Sequence, residues 1–114
     1  MNLRDSILSA RGQLKEREVQ FFGQKVIVRE LTGMERYQMG DAVRTKRDLV
    51  AQGQAAVSAL IWCVLDPETR KPVFEPADRD TLMSMSGAAV NELISVMNEI
   101  SGLGPDATPE AEKN

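Results

Sequence analysis

The longest apolar run of the sequence covers residues 55–65 and is interrupted only by Ser58. It is roughly half the length that a membrane-spanning helix requires, about 20 residues, so it predicts a core element and no membrane association. The segment Gln54–Leu65 is rich in Ala and Leu and is apolar on nearly all sides, which favours a buried helix over a strand. We therefore expect one central helix around which a small domain packs.

Composition limits the chemistry that this domain can carry. The 114 residues include no His and a single Cys, which argues against disulfide and Cys/His zinc sites. Cys63 lies inside the apolar run, where a thiolate is disfavoured, and is interpreted as a core residue. The glycines are scattered and do not form a phosphate-binding loop. We expect no catalytic residues, no metal site, no cofactor and no enzymatic activity.

Charge is distributed unevenly along the chain. Residues 1–50 hold ten Lys and Arg against seven Asp and Glu, whereas residues 51–114 hold four against ten. The basic residues of the first half alternate with acidic ones and do not form the basic stripe, interleaved with aromatics, of nucleic-acid-binding proteins. The charged N-terminus also lacks the apolar stretch of a signal peptide. We expect no nucleic-acid partner and a cytoplasmic location.

The first half of the chain predicts a short helix, a hairpin and a longer helix. Residues 3–11 have apolar positions at helical spacing, but too few turns to be stable alone. Two β-rich runs flank Gly23-Gln24, which predicts a hairpin with a type II′ turn. Thr32 and Glu35 can form a capping box at the start of an amphipathic helix of about four turns, which Gly53 ends or bends. The predicted core-facing residues of this helix are Met39, Ala42, Val43, Lys46, Leu49 and Val50.

The second half predicts a polar loop followed by two helices. Pro67 and Pro72 punctuate the loop, after which Val73-Phe74 returns to the core. Pro76 begins a short helix in which Leu82 and Met83 face inward.

Ser86 caps the last helix, and Gly102 is placed to stop it. The core-facing residues of this helix are Val90, Leu93, Ile94, Met97 and Ile100, at ideal helical spacing. Residues 103–114 have little to bury and predict a disordered acidic tail. The sequence thus predicts one globular domain over residues 1–102.

These elements predict an α+β fold that is predominantly α-helical. Its N-terminal β-hairpin would pack on a bundle of about four to five helices, with the Gln54–Leu65 helix at the centre. A small core gains from extra burial, so a homo-oligomer is compatible with the sequence, which does not fix a number of subunits.

Methionine side chains are candidates for an adaptable binding surface, because they fit irregular apolar partners. The chain has six of them. The candidates are Met34, Met39, Met83, Met85 and Met97, of which Met39 and Met97 are better explained as core residues.

The order of elements resembles a known family. A short N-terminal helix precedes the junction Val26–Arg36, followed by an Ala-rich apolar helix and an Asp66-Pro67-Glu68 turn with Pro72-Val73-Phe74 behind it. Asp78–Leu82 then precedes a Ser86-capped helix. Over about residues 3–101 this pattern resembles the tail assembly chaperones of long-tailed phages and prophages.

The resemblance implies a role without catalysis. Such chaperones bind the aggregation-prone tape measure protein and keep it soluble until tail tube subunits polymerise around it, so they are absent from the mature virion. A frameshifted longer form often recruits the tail tube protein, and this chain would be the unshifted product. The resemblance carries over no active residues. It implies two protein-binding segments instead, the strand-to-helix junction and the segment between the last two helices. The candidate residues in them are Arg29, Met34, Arg36, Tyr37, Met83 and Met85.

Two alternatives remain open at this point. One is a head-to-tail connector or tail-completion protein built into the virion. The other is a phage-encoded antitoxin or DNA-binding regulator, which the mixed charge disfavours.

Overall fold

A computed structural model describes residues 2–45 and 48–103. The predicted tail, apart from Leu103, lies outside the described residues. In chain order the elements are α1 (Leu3–Leu8), β1 (Glu16–Phe21), β2 (Gln24–Arg29), α2 (Gly33–Thr45), α3 (Leu49–Cys63), β3 (Val64–Leu65), a 3₁₀ turn (Pro76–Asp78), α4 (Arg79–Met83) and α5 (Gly87–Ile100). The α+β fold with an N-terminal hairpin and mostly helical content is confirmed.

The core forms where α3, α5 and the sheet meet. The largest fully buried side chains come from several elements and are Leu60, Leu82, Leu93, Met97, Val28, Val64 and Cys63. Burying an aliphatic side chain of this size contributes about 1.5–3 kcal/mol. The apolar run therefore lies at the centre of the molecule, as its composition predicts.

The sheet has three antiparallel strands in the order β1-β2-β3. Val19 pairs with Val26, which places both on the face that packs against the core. The prediction of a lone hairpin was therefore incomplete. Val64 and Leu65, predicted as the end of the central helix, instead pair with Val28 and Ile27 of β2, where their backbone groups gain partners that a helix running into Asp66-Pro67 would not provide.

The hairpin turn lies one residue earlier than predicted. Phe21 pairs with Gln24, so the turn residues are Phe22 and Gly23. Their φ angles are 52° and 78°, and positive φ at both central residues defines a type I′ turn, not the predicted type II′ turn. Gly23 adopts this conformation without the steric cost that Phe22 bears.

The boundary between α2 and α3 also differs from the prediction. α2 ends at Thr45, and Asp48 caps α3 by accepting a hydrogen bond from the Val50 N–H at 3.0 Å. Gly53 does not end a helix but lies inside α3. Leu49 and Val50, predicted as core-facing, are 81% and 59% exposed. The predicted core position Lys46 lies outside the described residues.

The last two helices follow the sequence closely. The Ser86 hydroxyl accepts a hydrogen bond from the Ala89 N–H, and α5 ends before Gly102, which has a φ of 80°. Leu82 is buried as predicted, whereas Met83, predicted to face inward, is exposed. Val73 is likewise exposed and only Phe74 of that pair packs against the core, in an edge-to-face contact with Phe21.

Candidate protein-interaction surfaces

The β2–α2 junction is held together by a charged pair. The Arg29 guanidinium donates two hydrogen bonds to the Glu35 carboxylate, at 2.8 and 2.9 Å, and a third to the Glu30 carbonyl oxygen. Glu35 also accepts from the Thr32 N–H, while the Thr32 hydroxyl accepts from the Glu35 N–H, which completes the predicted capping box. The Arg29 guanidinium is therefore occupied by bonds within the fold and offers little surface to a binding partner.

Electrostatics reinforce this interpretation of the junction. The hydrogen bonds from the Arg29 guanidinium hold the pKa of Glu35 below its ordinary value, although burial opposes this shift. The same pairing raises the pKa of Arg29. Both groups stay charged at neutral pH, each with less than a fifth of its side chain exposed.

Beyond this pair, α2 presents a solvent-facing apolar surface. Met34 and Tyr37 are 69% and 80% exposed. Gly33, Arg36 and Tyr37 line a shallow depression of about 330 Å³. Three of the predicted binding residues, Met34, Arg36 and Tyr37, thus lie on one accessible helix.

A second surface is an apolar groove between α3, α4 and α5. Its volume is about 160 Å³. Both Met83 and Met85 line it, and each is 37% exposed. Gly53 and Val57 of α3 form one wall, while α5 contributes the other wall through Val90, Asn91 and Ile94. We call this surface the methionine groove; none of the candidate residues of the β2–α2 junction lines it.

Two exposed apolar features were not assigned to binding from the sequence. In α1, the side chains of Leu3, Ile7 and Leu8 are all more than half exposed, and no residue of this helix is buried. Phe22 at the hairpin tip is 57% exposed and adopts a backbone conformation that is costly for a bulky residue. The apolar spacing of residues 3–11 could have indicated an exposed apolar surface on α1. The exposure of Phe22 could not be predicted in the same way, because it depends on the exact position of the hairpin turn.

Cys63, the single cysteine of the chain, is buried in the core. Burial raises the pKa of the Cys63 thiol to about 12, so the thiol stays protonated at neutral pH, as the core interpretation requires. In residues 2–45 and 48–103, no group of three or more Cys, Asp and Glu side chains is arranged to hold a metal ion. Nor does any helix in those ranges have the length and apolar character needed to cross a membrane.

The fold has a solved counterpart among phage morphogenesis proteins. That counterpart is the bacteriophage HK97 tail assembly chaperone, with a TM-score of 0.62 and 18% sequence identity, over 86% of this chain and 95% of that chain. No protein-family model matches the sequence, and none of the curated proteins matches it significantly. The structural likeness establishes a shared fold.

Proposed function

We propose that this protein is a phage tail assembly chaperone that binds the tape measure protein and keeps it soluble until tail tube polymerisation. The observation that carries the proposal is the fold shared with the HK97 tail assembly chaperone across nearly the whole of that chain. The order of sequence motifs points independently to the same family. The shared fold and the order of the sequence motifs both extend over most of the domain, so the proposal does not depend on a single motif.

The surface of the molecule suits this role physically. Exposed apolar side chains occur on α1, on the hairpin tip, on α2 and in the methionine groove. Of these, the methionine groove brings several apolar side chains into one surface, and an exposed apolar patch favours the binding of apolar segments of another protein. Many copies along one long client would raise the overall affinity through multivalency even where each single contact is weak.

The proposal also covers the cellular location of the protein and its further partners. The protein would act in the host cytoplasm and be absent from the finished virion. A frameshifted longer form would contact the tail tube protein, and self-association would add burial to a small core.

Co-expression with a tape measure protein tests the proposal. We expect the soluble yield of the tape measure protein to rise several-fold over co-expression with an unrelated acidic domain of similar size. An unchanged yield, with both proteins well expressed, would overturn the proposal. Mass spectrometry of purified virions separates this role from that of a connector, since a connector would be present at fixed stoichiometry.

A further inference from the structure

Strand β1 lies at an open edge of the sheet. The strand order is β1-β2-β3, so β1 has a neighbouring strand on one side only. The opposite edge, along β3, is covered by its own chain, because the Val73 N–H donates to the Val64 carbonyl oxygen and Leu65 bridges to Pro72. Within residues 2–45 and 48–103, no backbone hydrogen bond reaches the outer side of β1. An open edge of this kind is a template for pairing with another strand.

Alternate residues of β1 direct their backbone groups to this edge. The Glu30 N–H donates to the Lys15 carbonyl oxygen at 2.8 Å, so these two residues form a hydrogen-bonded pair of the ladder between β1 and β2. Hydrogen-bonded pairs alternate with non-hydrogen-bonded pairs along an antiparallel ladder. The backbone N–H and C=O groups of Glu16, Glu18 and Gln20 therefore point away from β2.

The devices that usually protect an edge strand are weak in β1. Its pairing with β2 runs without a bulge, and the strand contains neither proline nor lysine. Each of its charged side chains has an opposite charge of the same chain beside it. The ion pairs are Glu16–Arg70, Arg17–Glu99 at 3.1 Å and Glu18–Lys25 at 3.5 Å. The edge therefore carries little unbalanced charge that would repel a second strand.

The sequence of β1 is complementary to itself in one antiparallel register. Residues directly opposite each other lie on the same face of a sheet, and like charges at such positions are destabilising. A register centred on Arg17 or on Glu18 places that residue opposite its own copy, so like charges meet. A register centred on Gln20 aligns fewer residues. A register centred on Val19 aligns residues 17–21 of both strands, places two valines opposite each other and brings no like charges together.

We propose that β1 pairs antiparallel with β1 of a second copy, in the register centred on Val19, and so joins the two sheets into one. Glu18 of each copy lies opposite Gln20 of the other, and the outward backbone groups of these residues bond between the copies. The inference goes beyond the proposed function, which includes self-association without naming a surface, and it does not depend on the client.

Oxidative cross-linking of variants with one added cysteine tests the register. Val19→Cys places two thiols in a non-hydrogen-bonded pair, where Cα atoms lie about 4.5 Å apart, within reach of a disulfide. Glu18→Cys and Gln20→Cys are the controls, because each lies about 8 Å from its own copy, too far for a disulfide. The buried Cys63 thiol stays protonated and adds little background. We expect several-fold more covalent dimer from Val19→Cys than from either control.

Charge changes at Gln20 test the same register without cysteine. Because Gln20 faces Glu18 of the second copy, Gln20→Lys should tighten dimerisation several-fold and Gln20→Glu should weaken it several-fold, as measured by sedimentation over a range of concentrations. Gln38→Lys and Gln38→Glu make the same charge changes at an exposed position of α2 and should leave dimerisation unchanged. Lys25 lies opposite Gln20 within the hairpin, so thermal denaturation checks that each variant keeps its fold.

Three results would overturn the inference. They are a wild-type protein that sediments as a monomer at every concentration, a control that gives as much covalent dimer as Val19→Cys, and a failure of the two charges at Gln20 to shift dimerisation in opposite directions. Each of these results leaves the proposed chaperone function standing, because the co-expression assay tests that function separately.

Discussion

At the level of single residues, the Arg29–Glu35 pair joins the end of β2 to the start of α2. Its two hydrogen bonds and the capping box with Thr32 place three groups in one network. Charge-assisted bidentate pairs of this kind are the strongest hydrogen bonds that side chains form. The pair thus orients α2, and with it the exposed Met34 and Tyr37.

The stability of this pair should depend on pH in a defined direction. Because the folded-state pKa of Glu35 is lowered, its stabilisation is complete above the ordinary glutamate pKa of about 4.3 and is lost as the pH falls through the folded value. Glu35→Gln should lower the free energy of unfolding by about 1.5–3 kcal/mol at neutral pH. The gap to wild type should narrow below about pH 4, as measured by denaturant unfolding.

Glu18→Gln is the matched control for Glu35→Gln. Glu18 forms an exposed ion pair with Lys25 at 3.5 Å, and exposed pairs contribute little, so its loss should barely change stability. A loss in Glu35→Gln that is independent of pH, or no larger than that of the control, would contradict this account of the junction.

Ser101 is a second residue with a specific structural role. Its hydroxyl accepts a hydrogen bond at 2.9 Å from the buried Leu31 N–H, which links the end of α5 to the junction. Ser101→Ala leaves that N–H without its partner and should lower the free energy of unfolding by about 1–3 kcal/mol. Ser95→Ala, at an exposed position of α5, should change it by less than about 0.5 kcal/mol. Equal effects of the two substitutions in denaturant unfolding would refute this role.

At the level of secondary structure, α1 contributes neither a buried residue nor a side chain packed against the core cluster. A helix of six residues is not stable alone in water. Because α1 buries no side chain against the domain, it contributes little to the stability of the domain. Deleting residues 2–11 should shift the melting temperature by less than about 2 °C, as measured by circular dichroism. A drop greater than about 5 °C would show that α1 packs on its own domain.

The elements that the sequence predicted best are those with local signals at both ends. Ser86 and Gly102 bound α5, and Gly102 allows the Leu103 N–H to donate to the Asn98 carbonyl oxygen at 2.7 Å, the bond of a Schellman motif. The Thr32 capping box likewise marked the start of α2. Such signals act within a few residues and do not depend on the rest of the fold.

The elements that were misplaced depend on competition or on distant partners. Gly53 resembled a helix stop, but glycine inside a helix costs only about 1 kcal/mol, and the Asp48 cap defines the start of α3 instead. The strand β3 exists because β2 offers an unpaired edge, which no local pattern reveals. Arg29 was predicted to bind a partner protein, but it pairs with Glu35 within the chain. The exposure of Met83 depends on the orientation of α4 and could not be predicted from the sequence alone.

At the level of the whole molecule, the two halves of the chain, which differ in charge, also differ in what they contribute to the structure. The acidic second half supplies most of the buried core and the whole lining of the methionine groove. Exposed apolar side chains are distributed over several elements. That distribution suits a protein that holds an extended apolar client through many contacts.

Light scattering during dilution of a denatured tape measure protein tests this account of the molecule. The client is diluted into buffer containing increasing amounts of the purified protein, with serum albumin at equal mass as the control. We predict that scattering falls in proportion to the amount of protein added and that albumin has little effect. Scattering that matches the albumin control at every ratio would contradict the proposed chaperone function.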